Sequence, residues 1–376
     1  MVLHDRKFGT THTQYHPSEA KYASLLPSGT SQKMSTDGPL GTSSGSKFGA
    51  RFGFETEGRY VKVNGHEVFQ YSWPVASPKA ILYVAHGNTE HAARYRILAK
   101  FLNEHGISVY AHDHLGHGKT AEREGCPLGD TAYEWIQIPK DLQALCFEML
   151  DQNAGRVPFY LMGHSVGTLI SQKAVQMDNG ALGKRIDGLI LSGPVFRPGF
   201  VVSCVFLSLV GVFGALLGRH SITKWHNTIE RTAVFNEFQG HFKPNKTDFD
   251  WLSRDIAEVQ EYSDENCGHN MSIHYWAGYF RNLMSVSKDD FSSMDKKPVL
   301  VCLGSEDPLA KEPMAPFGPK WKALYQLMGE FKNCEDLRIL IHAFARHEPH
   351  NDMGKKNVFQ NYVDWILSPK FPLSKL

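Results

Sequence analysis

Ser165 lies in Gly163-His164-Ser165-Val166-Gly167, between the apolar run Phe159 to Met162 and an apolar segment of helical type. Gly-x-Ser-x-Gly in that setting is how a chain mounts a serine nucleophile on a sharp strand-to-helix turn. The flanking positions must lack side chains for the turn to close, and the helix N-terminus beneath the serine offers N–H groups to a developing oxyanion. A serine attacks only with a base to take its proton and a carboxylate to orient that base. In nucleophiles of this type the acid and the histidine follow the serine in that order. Leu303-Gly-Ser-Glu-Asp-Pro-Leu309 follows a late apolar run and offers Glu306 and Asp307. Leu337 to Ile341 leads into His342-Ala-Phe-Ala-Arg-His-Glu-Pro-His350, which offers His342, His347 and His350. Spacing alone leaves both choices open.

An oxyanion hole needs a second N–H from the loop after an earlier strand. Val84-Ala-His-Gly-Asn-Thr-Glu-His-Ala-Ala-Arg-Tyr95 is that loop. Gly87 allows the close backbone approach that presents the N–H of Asn88, and the partner donor is the N–H of Val166. His112, His114 and His117 cluster in one short loop, and His86 and His91 in another. With no separate Cys, His or Glu group to converge on them, they read as loop scaffolding, and no metal is expected. No Gly-x-Gly-x-x-Gly follows the first parallel strand, so no dinucleotide or other cofactor is expected.

The elements that must position these groups form an alternating series. Tyr60 to Tyr71 alternates on both sides of Asn64-Gly65, the signature of a tight β-hairpin. From Ala80 the strands become continuous apolar runs of the kind covered on both faces: Ala80–Ala85, Ser108–Ala111, Phe159–Met162, Gly188–Ser192 and Pro298–Leu303. Helical segments separate them at Tyr95–Asn103, Ile138–Gln152 and after Gly167. The fold class is α/β, with a mostly parallel central sheet and right-handed crossovers. The first 52 residues, rich in Ser, Thr, Gly and Lys, read as a disordered or loosely packed extension. The core then comprises 53–192 and 298–376.

Residues 193–297 are too long for a loop and contain helical segments at 249–261 and 274–286, as expected of a helical cap over the carboxyl edge of the sheet. The cap opens with Gly199 to Gly218, twenty uncharged and mostly apolar residues. That length meets the requirement for a membrane span. A single span is nevertheless excluded, because strands before and after it belong to one sheet. The segment either packs against the core or dips into a membrane surface; the expectation taken forward is transient membrane contact.

Of the 376 residues 42% are hydrophobic and 21% charged, as in an ordinary globular protein with a substantial core. A formal net charge of +1 gives no reason to expect a nucleic-acid partner. The six cysteines are scattered without Cys-x-x-Cys pairs, and the N-terminus opens no secretory h-region. An intracellular, cytoplasmic protein with peripheral membrane attachment is expected; oligomeric state is not legible.

His86-Gly-x-x-Glu90-His91-x-x-Arg94-Tyr95, Ala111-His-Asp-His-x-Gly-His-Gly118, Gly-His-Ser-x-Gly, Leu303-Gly-Ser-x-Asp307 and Ala345-Arg-His-Glu-x-x-Asn351 occur in that order. Together they resemble the serial signatures of the monoacylglycerol lipases and, more broadly, of the lysophospholipase-like α/β-hydrolases, over roughly residues 56 to 368. The resemblance implies an α/β-hydrolase fold with an inserted lid, and a catalytic triad of Ser165, Asp307 and His347. It implies Asn88 and Val166 as the oxyanion donors. The activity implied is cleavage of a monoacylglycerol to fatty acid and glycerol through an acyl-enzyme, with lysophospholipase, carboxylesterase or acyltransferase chemistry as the alternative. The sequence departs from the family's pattern at Asn88-Thr89, where a small residue and then Gly are usual, and at Val166 and Thr168. Backbone donors survive such changes, so the departures bear on acyl preference and rate.

Overall fold

In a computed structural model the described residues are 10–12, 58–153, 157–195, 200–222, 236–286, 291–310 and 322–367. In chain order they form β1 (Thr10–His12), β2 (Gly58–Val63), β3 (His66–Trp73), β4 (Ala80–Ala85), α1 (Arg96–Glu104), β5 (Ile107–His112), α2 (Gly118–Glu124), α3 (Gln137–Asn153), β6 (Phe159–His164), α4 (Val166–Arg185) and β7 (Gly188–Ser192). There follow α5 (Phe200–Leu217), α6 (Asn236–Gly240), α7 (Ile256–Asp264), α8 (Ile273–Val286), β8 (Val299–Gly304), α9 (Lys322–Glu330), β9 (Leu337–His342) and α10 (Lys355–Leu367).

The strands make one sheet in the order β1-β9-β8-β7-β6-β4-β5-β3-β2. It is parallel from β1 to β5, with β3 and β2 antiparallel at the far edge. The Asn64-Gly65 hairpin forms as expected, both residues taking positive φ to close the two-residue turn. The continuous apolar runs feed both faces of the sheet. Tyr83, Leu161, Leu189 and Val301 meet α3 and α4 through Leu142, Leu145, Leu169 and Val175. Leu82, Met162, Ile190 and Leu300 meet α1 and α10 through Leu98, Leu102, Phe359 and Trp365. A strand sandwiched in this way has no face left for polar side chains, hence the lack of alternation.

Most of the expected extension, residues 1–9 and 13–52, lies outside the described residues, as do 53–57 of the expected core. Thr10–His12 is described, and it pairs in parallel with Ile339–Ile341 at the sheet edge. Between β7 and β8 the described residues are helical or irregular. The segment expected as one helix over 249–261 starts later: Asp255 accepts the Ala257 N–H and begins α7 at Ile256, while Trp251 to Asp255 stays irregular. α5 forms where the apolar run predicts. Its neighbours β7 and β8 pair directly, Leu189 against Val299, which confines the ends of the helix to one side of any bilayer. Among the described residues no helix is long and apolar enough to cross a membrane.

Candidate active site

Asn88, Ser165, Asp307 and His347 follow the carboxyl ends of β4, β6, β8 and β9, and Val166 follows Ser165. β6 ends at His164, and Ser165 turns the chain into α4 with φ 51° and ψ −122°, a strained conformation for a residue with a Cβ. A Cβ at position 163 would drive into the carbonyl oxygen of Gly167, and one at 167 into that of Ala85. Both glycines are therefore steric requirements of the turn.

The Asp307 carboxylate can only accept, so His347 Nδ1–H donates to it, at 3.1 Å and 3.0 Å from its two oxygens. That fixes the tautomer and leaves Nε2 to accept from Ser165 Oγ at 2.8 Å. Asp307 is buried and also accepts the Leu309 N–H, whereas Glu306 is exposed and points elsewhere. His342 closes β9. His350 stacks on Tyr95 and meets His164 edge-on, so neither takes the place beside the serine. Burial would pull the His347 pKa down; the charge and hydrogen bonds of Asp307 outweigh it and raise the pKa above the usual histidine value. The group rests as a base primed to hold a proton.

Gly87 approaches so closely that a Cβ there would sit 3.0 Å from Ser165 Cβ, which sets the loop of Asn88 against the nucleophile. Val166 is the first residue of α4, where an N–H has no acceptor within the helix. Neither the Asn88 nor the Val166 N–H has a hydrogen-bond acceptor among the described residues. The histidine loops act as scaffolding. His114 N–H donates to His86 Nε2 at 3.0 Å, Thr89 N–H to His117 Nε2 at 3.2 Å, and His112 Nδ1 contacts Tyr83 Oη at 3.1 Å. Burial holds His86 and His114 well below the ordinary pKa and takes His112 to about 3 and His117 to about 4, so these rings serve as neutral acceptors. No group of His, Cys, Asp and Glu that could hold a metal occurs among the described residues.

Sequence reasoning missed what braces the site. Arg94 is buried and forks between Glu90, at 2.6 Å, and Glu348, at 2.7 Å, joining the Asn88 loop to the residue after His347. Glu90 in turn accepts the Gly87 N–H. The Glu-x-x-x-Arg spacing signals the first pair, but nothing local signals Glu348. Trp251, on the segment between β7 and β8, lies with its ring 5.3 Å from that of His347. The two segments also pair through their backbones: His347 N–H donates to Trp251 O, and Glu348 N–H to Leu252 O at 2.8 Å. A hydroxyl paired with a base oriented by a buried acid, beside two free N–H groups, can attack a carbonyl and stabilise the resulting oxyanion.

Residues 76–354 match the family described as serine aminopeptidase, S33. The monoglyceride lipase homolog of Monkeypox virus is 26% identical over 309 residues, covering 81% of this chain and 95% of the relative. The monoglyceride lipase of Homo sapiens is 25% identical over 313 residues, covering 81% and 88%. A thermostable carboxyl esterase from Bacillus coagulans, solved with glycerol, shares the fold with a TM-score of 0.68 at 22% identity, covering 83% of this chain and 98% of its own. The chain belongs to the serine aminopeptidase S33 family and is a serine hydrolase built on the α/β-hydrolase fold.

Proposed function

We propose that the protein is a carboxylic ester hydrolase that cleaves monoacylglycerol to fatty acid and glycerol. Ser165 attacks the ester carbonyl while His347 takes its proton, and Asp307 holds the imidazole in the productive tautomer. The N–H groups of Asn88 and Val166 receive the oxyanion; His347 then protonates glycerol and activates the water that releases the acid. The observation that carries this reading is the unbroken relay from Asp307 through His347 to Ser165 Oγ. The relatives named above, called monoglyceride lipases, support the substrate class.

Residues 193–297 act as the cap over a core of 53–192 and 298–376. Within the cap, α5 supplies apolar surface for a single acyl chain and for transient contact with the membrane that holds the substrate. Support comes from its outward side: Val205, Leu209, Val212 and Leu216, spaced so as to share one face of the helix, are 49% to 74% exposed. Ser165→Ala is expected to abolish both fluorophosphonate labelling and hydrolysis of p-nitrophenyl butyrate while the circular dichroism spectrum is kept. Activity within a few fold of wild type would refute the triad. Turnover of monoacylglycerol against lysophosphatidylcholine, with product analysis in added alcohol, decides the substrate and the acceptor; preference for the lysophospholipid overturns the assignment.

A further inference from the structure

Thr89 follows the proposed oxyanion donor Asn88 and adopts φ 54°. A glycine holds that left-handed conformation at no steric cost; a β-branched residue does so only where its surroundings leave it no choice. Here each polar group of Thr89 is held from a different side. Its N–H donates to His117 Nε2 of the core at 3.2 Å. Its carbonyl accepts the Gly268 N–H at 2.9 Å, and its hydroxyl pairs with Tyr262 Oη at 2.7 Å. Tyr262 lies on α7 and Gly268 just beyond it, so two of the three restraints come from the segment inserted between β7 and β8. The Tyr262 ring is itself fixed, with the Arg94 guanidinium 4.8 Å from its centroid. Two buried ion pairs hold the same segment nearby, His91 of the loop with Glu265 at 3.0 Å and Arg96 at the start of α1 with Glu261.

We propose that Thr89 is a positioning residue that makes the oxyanion hole conditional on the inserted segment: the turn carrying Asn88 keeps its shape only while Tyr262 and Gly268 are seated on Thr89. A glycine at this position would present the same N–H whether or not the segment were in place. Threonine exchanges that independence for coupling, so displacement of residues 256–268 switches off hydrolysis as well as uncovering the site. The inference rests on the assignment of Asn88 as an oxyanion donor, and it assigns a role to a side chain that touches no substrate.

The test is a double-mutant cycle on the full chain, with kcat and KM measured separately on p-nitrophenyl butyrate, a soluble ester that needs no membrane. Tyr262→Phe removes only the hydroxyl and is expected to lower kcat about 10-fold with KM unchanged within twofold, as for loss of transition-state stabilisation alone. In a Thr89→Gly background the same substitution is expected to change kcat less than twofold, because no hydroxyl pair and no strained turn remain to be supported. Thr89→Ser should recover most of the kcat that Thr89→Ala loses, a rescue that simple repacking would not give. Equal kcat losses from Tyr262→Phe in both backgrounds, a loss confined to KM, or no difference between the Ser and Ala variants overturns the proposal. Should Tyr262→Phe not fold, the Ser and Ala pair decides alone. An inactive wild type removes the hydrolase reading and this inference with it; an active wild type without coupling removes only the inference.

Discussion

The double variant Leu209→Asp/Leu216→Asp separates membrane attachment from chemistry. Leu209 is 49% exposed and Leu216 74%, both on the outward face of α5. Phe206 is less suited because its ring stacks on Phe280 of α8 at 5.2 Å, so replacing it would also loosen the packing. Taking a whole leucine side chain out of water is worth about 2 kcal/mol, so the exposed parts of these two hold roughly 2.5 kcal/mol that only an apolar partner can realise. Losing that term weakens partitioning into a bilayer about 60-fold, and two carboxylates on the same face weaken it further. Sedimentation with phosphatidylcholine vesicles reads the partitioning directly. Hydrolysis of p-nitrophenyl butyrate in the same preparations reads the active site, and it should stay within twofold because both side chains are exposed on the outward face of α5. If vesicle binding is unchanged, the α5 face does not meet lipid. If binding and soluble-ester hydrolysis fall together, the face serves the interior of the protein and the attachment argument is refuted.

Three further outcomes follow from the buried charges. The proposed base, His347, must be neutral to act, and Asp307 raises its pKa, so kcat/KM should fall with decreasing pH through an apparent pKa above 6.5. Asp307→Asn should lower kcat by about 10⁴ and move that acid limb downwards; a limb that stays in place would show that another group sets it. Burial takes His112, His164 and His350 to about 3 and His117 to about 4, so the fold keeps them neutral while the unfolded chain gains protons below pH 6.5. Stability is therefore lost as pH falls from about 6.5 towards 4, and Tm should drop by roughly 10 °C or more between pH 7 and pH 5 by calorimetry. His91 has the opposite sign. Although burial opposes it, Cys267 and Glu265 push its pKa up to about 10, and the stability it adds is lost as pH rises through that value. Glu348→Gln leaves Arg94 buried with Glu90 as its one remaining carboxylate and should cost about 3–5 kcal/mol in urea denaturation, whereas a surface pair would cost under about 1.

The turn at Ser165 was legible because its requirements are local. Gly163 and Gly167 lie two residues either side of Ser165, and each is excluded from bearing a side chain by backbone of the same turn or of the adjoining strand. The sheet was legible for a related reason, since burial on both faces turns each parallel strand into an unbroken apolar run that needs no partner to be recognised. The choice of Asp307 over Glu306, and of His347 over His342 and His350, was not local. In the sequence it came from likeness to a family, and in three dimensions from the hydrogen bonds that join Asp307 to His347 and His347 to Ser165. The braces of the site were invisible for the same reason. Thr89 and Tyr262 are 173 residues apart and Arg94 and Glu348 are 254, and no periodicity links positions across such intervals. The strand at Thr10–His12 was missed because three residues carry too little pattern to stand out in a polar stretch.

The same contacts divide the inserted region into two parts with different mechanics. Residues 250–268 are bound to the core at two places: through Trp251 and Leu252 to His347 and Glu348, and through Tyr262 and Gly268 to Thr89. Arg254 adds a contact of 2.7 Å to Asp352, which is buried and also accepts the Arg346 N–H. α5 is held differently. It rests on α8 through Phe206 against Phe280 and through the close approach of Gly214 to Ile273, and it is tied down just past its C-terminus, where His220 meets Asp130 and Arg219 meets Glu134 and His274. Shifting residues 250–268 would break several buried polar bonds and disturb His347 and the loop at Thr89 together. Shifting α5 would cost apolar contacts that a lipid surface can replace. A lipid surface that met the proposed face of α5 would therefore act on that helix before it acted on residues 250–268.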